Sequence, residues 1–157
     1  MGRGELASRE DVTTAEELGE RIARERWVLL TGGRDAGVMA AANRGAKRVP
    51  DSLTIGVLPA RAPTDVSAHV DVAILTGLGD ARNAVNVLSS DVVVICGAGG
   101  PGTASEAALA LKAERFLILL NPTPEAAAFF RSLDASVAIA SSAEHVIELI
   151  RQRGPSF

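Results

Sequence analysis

The strongest constraint on this chain is a run of six residues, Asp91-Val92-Val93-Val94-Ile95-Cys96, followed at once by four glycines within residues 97–102. Four consecutive β-branched residues leave no polar face, which suits a central parallel strand covered on both sides. Parallel strands need long crossovers between them. The chain supplies these: apolar runs at 27–30, 52–58, 72–75, 116–120 and 136–140 alternate with helix-forming stretches at 13–25, 36–48, about 80–88, 103–113, from 124 and from 142. The pattern predicts an α/β fold, a Rossmann-like doubly wound parallel sheet with helices on both faces, in one domain over residues 1–157. Thr13 is the expected cap of the first helix.

The chain opens on a helix, whereas a doubly wound sheet normally begins with its central strand. Gly2-Arg3-Gly4 resembles the glycine turn that would follow such a strand. One expectation is therefore that the first strand is missing because the native reading frame starts upstream of Met1. The alternative is a variant in which the strand order has closed up.

A net charge of −3 argues against affinity gained by neutralising nucleic-acid phosphates. Cys96 is the single cysteine, so neither an internal disulfide nor a cysteine-based zinc site is expected. His69 and His145 stand in unlike contexts and belong to no ligand cluster, so no metal site built from side chains is expected. The apolar runs fall well short of the roughly 20 residues that span a bilayer, and residues 1–5 carry no apolar segment of signal-peptide type. The expectation is a cytoplasmic protein with no membrane or nucleic-acid partner.

Ligands of open parallel sheets bind at the carboxyl ends of strands where the connections reverse. Three loops there have unusual composition. Gly32-Gly33-Arg34 follows the first apolar run, and its paired glycines either admit a ligand close to the backbone or simply make a tight turn with Asp35 as cap. The loop at 97–102 would aim several backbone amides and a helix dipole at one spot suited to phosphate. Gly97, Gly99 and Gly102 formally satisfy the dinucleotide fingerprint, but the acidic residue needed some 20 positions later is replaced by Leu120-Asn121, and no phosphate-loop lysine is present. Thr103 and Glu106 have the spacing of a capping box, and Glu106 can equally serve as general acid or base or grip a sugar hydroxyl. In the third loop Asp80 reads as a cap, which puts Arg82 in the first helical turn, where a cation is disfavoured by roughly 0.3–1 kcal/mol. An anionic ligand, or Glu106, would offset that. Cys96 reads as core filler, since no histidine is expected beside it.

Gly-Gly-x-x-x-Gly-Val-Met at 32–39, Ala-Arg-Asn at 81–83 and Gly-Gly-x-Gly-Thr-x-x-Glu at 99–106, in that order, resemble the Lonely Guy superfamily over about residues 27–120. That group includes cytokinin-activating phosphoribohydrolases, proteins often mislabelled lysine decarboxylases, and molybdenum cofactor carriers. Asn83 stands where the hydrolases usually have lysine, and Ala98 where they have proline, so the pattern looks more like the carrier branch. The resemblance implies that Gly99, Gly100, Gly102 and Thr103 hold a phosphate, with Gly32, Gly33, Arg34 and Asn83 also lining the ligand site. It matches Arg82 and Glu106 to the hydrolase catalytic pair. Two functions follow: a homo-oligomer, dimer or tetramer, that binds a phosphorylated nucleotide-like or pterin ligand such as molybdenum cofactor, or an enzyme that cleaves the N-glycosidic bond of a nucleoside 5'-monophosphate.

Overall fold

The computed structural model describes residues 1–2, 7–97 and 99–154. Arg3 and Gly4 of the expected glycine turn, and Ala98 of the glycine loop, lie outside the described residues. Helix α1 (Arg9–Arg24) starts earlier than residue 13. Ser8 Oγ accepts from the Asp11 amide at 3.0 Å and the Asp11 carboxylate accepts from the Ser8 amide at 3.4 Å, a complete capping box. Thr13 is not the cap; its hydroxyl donates to the Arg9 carbonyl within the helix.

Three strands, β1 (Leu29–Thr31), β2 (Thr54–Leu58) and β3 (Val72–Leu75), pair in parallel in that order. Another three, β4 (Val92–Cys96), β5 (Phe116–Leu120) and β6 (Ala138–Ala140), do the same. Helices α2 (Gly37–Ala46), α3 (Arg82–Leu88), α4 (Pro101–Lys112), α5 (Pro124–Leu133) and α6 (Ala143–Arg153) connect them, with one 3-10 turn, Gly79–Ala81, leading into α3. Every strand pair is parallel, as the doubly wound reading requires.

Side-chain alternation sorts the core into two layers. Val92, Val94, Cys96, Ile118 and Leu120 pack under α1, α2 and α6, while Val93, Ile95, Leu117 and Leu119 pack against α3, α4 and α5. A run with no polar face is what such two-sided burial demands. Helices α1 and α2 cross closely through two glycines. A Cβ on Gly45 would stand 1.8 Å from the Glu16 carbonyl oxygen, and one on Gly19 would stand 2.0 Å from that of Ala42. The Glu16 carboxylate ties the same crossing by taking both Arg44 and Arg48.

Asp71 fastens β2 to the start of β3. Its Oδ2 accepts from the Thr54 amide at 2.8 Å, the Thr54 hydroxyl at 2.9 Å and Lys47 Nζ at 2.6 Å. The Lys47 hydrogen bond, with those from Thr54, holds the Asp71 carboxyl below its ordinary range. A depressed carboxylate stabilises the fold above its unfolded pKa of about 3.9 and loses that contribution as pH falls through the folded value. Asp71→Asn is therefore expected to lower the melting temperature at pH 7, with the gap from the unaltered protein closing below about pH 3. A gap that stayed constant down to pH 2 would contradict the assignment.

Among the described residues, no helix is long and apolar enough to cross a membrane.

Candidate functional site

The carboxyl ends of β1 and β4 open on one large cavity of about 1080 Å³. Gly32, Arg34, Arg82, Asn83, Gly100, Gly102, Thr103 and Glu106 all line it, so the structure brings together eight of the ten residues the sequence singled out. Gly33 and Gly99 are not among its lining residues.

Each has a local reason for its position. Thr31 ends β1 and its hydroxyl accepts from the Gly33 amide at 3.1 Å while donating to the buried Asn43 Oδ1 at 3.2 Å. Gly33 has φ +72°, and a Cβ there would stand 2.9 Å from Gly56 Cα on the neighbouring strand, so the residue serves a tight backbone passage. Asp35 makes no cap, because α2 begins behind Ala36 without a side-chain bond. Gly32 has a different use. A Cβ on it would lie 2.3 Å from Arg82 Nη1 and 2.6 Å from Met39 Sδ, so its bare α-carbon makes room for the Arg82 guanidinium.

Arg82 is the first residue of α3, and neither Asp80 nor any other side chain caps that helix. Its Nη1 donates to the Val57 carbonyl at 2.8 Å, while its Nε is buried with no hydrogen-bond partner. Burial pushes the guanidinium below its ordinary range, Glu106 pulls it back up, and the like charge of Arg34 pushes it down further. Two arginines thus crowd one cavity.

Helix α4 begins two residues before the expected start, with Gly100 as N-cap and Pro101 as first residue. Thr103 therefore sits in the first turn, and the Thr103–Glu106 capping box does not form. Glu106 is buried and accepts from Asn86 Nδ2 at 3.1 Å, which anchors its carboxylate toward the Arg82 side of the cavity. The amides of Gly102 and Thr103, in the first turn of α4, have no carbonyl four residues back within the helix. Gly102 has open space where a Cβ would be. Not every amide of the glycine loop faces the cavity, for Gly97 donates to the Leu120 carbonyl at 2.9 Å. Asn83 also spends its carboxamide on protein, with Nδ2 donating to Ser105 Oγ at 3.0 Å and so bracing α3 against α4.

Sequence reasoning missed Asn86, Met39 and Thr31. Asn86 lies four residues after Arg82 on the same helical face, a signal that could have paired it with the site. Cys96 behaves as core filler: burial pushes its thiol up to about 11. At pH 8 roughly one molecule in a thousand carries the reactive thiolate, so the folded protein is expected to react with Ellman's reagent far more slowly than the unfolded chain. Equal rates would show that the thiol is accessible. Among the described residues no group of three or more His, Cys, Asp or Glu side chains is placed to hold a metal ion.

Comparison with known proteins gives a consistent result. The model of the SLOG cluster4 family matches residues 1–147. A molybdenum cofactor binding protein from Rippkaea orientalis is 53% identical, with a TM-score of 0.94 over 98% of this chain and 93% of its own. The molybdenum cofactor carrier protein of Chlamydomonas reinhardtii is 46% identical, with a TM-score of 0.89 over 97% of this chain and 93% of its own. An uncharacterized protein of Archaeoglobus fulgidus is 39% identical over 78% of either chain.

Proposed function

The chain belongs to the SLOG cluster4 family, and from the chemistry of its cavity we propose that it binds a phosphorylated small molecule, a pterin cofactor of the molybdenum cofactor type, as a carrier. The observation that carries this reading is Arg82: a half-buried guanidinium whose buried Nε lacks a hydrogen-bond partner, set beside a second arginine, at the open end of α4. Glu106 and Asp80 offset the desolvation of this cation only in part, and an anionic group in the cavity would offset the rest. The residues present fit such a group. In this reading Arg82 and Arg34 neutralise the phosphate, the amides of Gly102 and Thr103 donate to it, Gly32 leaves room for the Arg82 guanidinium, and Gly100 lets the anion approach the backbone. Since no described cluster of side chains is placed to hold a metal ion, in this reading the protein would grip the phosphate and the pterin would carry the metal. The similarity to the Rippkaea and Chlamydomonas proteins, which are named for this cofactor, supports the same ligand.

The test is to load the protein with molybdenum cofactor and measure retained molybdenum and released pterin after gel filtration. Stoichiometric retention, lost in Arg82→Gln, is expected. Equal retention by both chains would remove the reading. Assembly into dimers or tetramers belongs to the same proposal and is read from light scattering.

One observation favours a second reading. Glu106 is buried, anchored by Asn86 and on the same cavity as Arg82, an arrangement also suited to N-glycosidic hydrolysis of a nucleoside 5'-monophosphate. Arg82 would position the phosphate and Glu106 would assist attack of water at the anomeric carbon. Incubation with AMP separates the readings: release of adenine and ribose 5-phosphate, abolished by Glu106→Gln, would replace the carrier with an enzyme.

A further inference from the structure

The outer edge of the sheet formed by β1, β2 and β3 is bare. Of the nine large apolar side chains exposed among the described residues, four, Val72, Ile74, Leu75 and Leu78, fall within one stretch of seven residues at β3 and the turn after it. We propose that this edge pairs antiparallel with β3 of a second copy, about a twofold axis at Ala73, so that one six-stranded sheet runs through both subunits. This pairing gives a surface to the assembly included in the proposed function, on which it rests, and holds whichever ligand binds.

A free strand edge is a template for another strand, and monomers blunt theirs with lysine, proline, a bulge or a covering element. Strand β3 has none of these. It pairs with β2 residue for residue over Val72–Leu75 without a bulge, and all four residues are exposed. The cause is local: the connection from β2 to β3, residues 59–71, contains no helix to lay over the strand. The one charge at its start, Asp71, is turned back onto Thr54 and Lys47 and does not guard the edge. The outer strand of the other sheet, β6, is built differently, with three residues of which none is exposed.

Register explains why the occupant is the same strand. The Asp71 amide donates to the Thr54 carbonyl at 3.1 Å and Val72 stands opposite Ile55. In a parallel ladder Asp71 and Ala73 therefore turn their peptide groups to β2, while Val72 and Ile74 turn theirs outward. Those two residues lie symmetrically about Ala73. With a twofold axis there, Val72 faces the partner's Ile74 and Ile74 faces the partner's Val72, each as a hydrogen-bonded pair, so every outward N–H and C=O finds a partner. Ala73 then meets its own copy at a non-hydrogen-bonded position, where Cα atoms approach to about 4.5 Å and a small side chain suits the contact. The strand carries no charge, so self-pairing sets no like charges opposite each other and matches valine with isoleucine.

The extent of the surface suits a dimer. A stable interface takes about 800 Å² and about 20–30 residues from each partner. Fifteen of the 21 residues from 61 to 81 are exposed, so this one length of chain around β3 supplies half or more of a side. Its centre is apolar, whereas Arg61, Asp65 and Asp80 are exposed toward its ends, the layout of an interface with an apolar core and a polar rim.

Light scattering after gel filtration tests the surface. The unaltered chain is expected to run as a dimer or tetramer, and Ile74→Lys to halve that mass with unchanged circular dichroism, because a lysine blunts the edge. Cysteine crosslinking decides independently should that variant misfold. Across the axis Ala73→Cys brings two thiols within the Cα range of a disulfide, whereas Leu75→Cys leaves its two about 13 Å apart along the strands. Under air oxidation Ala73→Cys is expected to form a covalent dimer about tenfold faster than Leu75→Cys or more, with the buried Cys96 silent in both. A folded Ile74→Lys of undiminished mass, or equal crosslinking of the two cysteine variants, would overturn the pairing and leave the assembly standing. An unaltered chain that is monomeric at about 0.1 mM would overturn both, while retention of the cofactor judges the ligand separately.

Discussion

Gly45→Ala is expected to lower the melting temperature by roughly 6–12 °C, although glycine to alanine inside a helix ordinarily gains about 1 kcal/mol. The sign reverses because the new methyl would sit 1.8 Å from the backbone oxygen of Glu16, and a backbone carbonyl in α1 cannot rotate aside. The two helices must separate, which loosens Gly19 against Ala42 and the Glu16 pairs with Arg44 and Arg48 at the same crossing. Overpacking typically costs 1–3 kcal/mol, and the upper end applies where the obstacle is main chain. For a domain of about 150 residues each kcal/mol is roughly 2–4 °C. Gly102→Ala is the matched control: it is helical, its Cβ meets nothing within 4 Å, and its stability should stay level or rise by up to about 1 kcal/mol. Thermal melts followed by circular dichroism compare the two. If both variants melted alike, the α1–α2 contact would not be the cause.

That crossing also shows where the sequence was silent. Gly19 and Gly45 look like ordinary helix-weakening residues in the linear chain, and only the meeting of two helices gives them a purpose. The strands were legible because burial on both faces writes itself as unbroken apolar runs, of which residues 91–96 are the plainest. Helix starts were harder. Ser8 outcompeted Thr13 because Asp11 could complete a reciprocal pair with it, and Pro101 set the start of α4 because its missing N–H is harmless at the first helical position. That second shift decided the chemistry of Glu106, which leaves the backbone to Gly100 and turns to Asn86. The glycine loops announced the site, since backbone freedom and free amides are properties of local sequence. The company Arg82 keeps was not legible, because Val57, Glu106, Met39 and Arg34 come from four other elements or loops.

Arg82→Gln is expected to weaken binding of a phosphorylated ligand by about ten- to a hundredfold, the usual 1.5–3 kcal/mol for a hydrogen bond to a charged group. Isothermal titration with AMP and with inorganic phosphate reads it. Gly32→Ala should produce a loss of similar size without touching the charge, since its methyl would occupy the place of the guanidinium, 2.3 Å from Nη1. The pair of variants distinguishes position from charge. If Arg82 acts through the geometry it holds, the double variant should bind no worse than either single one, because the methyl displaces a group already removed. Losses that simply added would mean Gly32 acts on the ligand directly, by closing the backbone approach, and that the anion is held elsewhere in the cavity. Near-unchanged affinity in Arg82→Gln, in a chain that still melts normally, would leave the unpartnered Nε without a ligand and remove the chief support for phosphate binding.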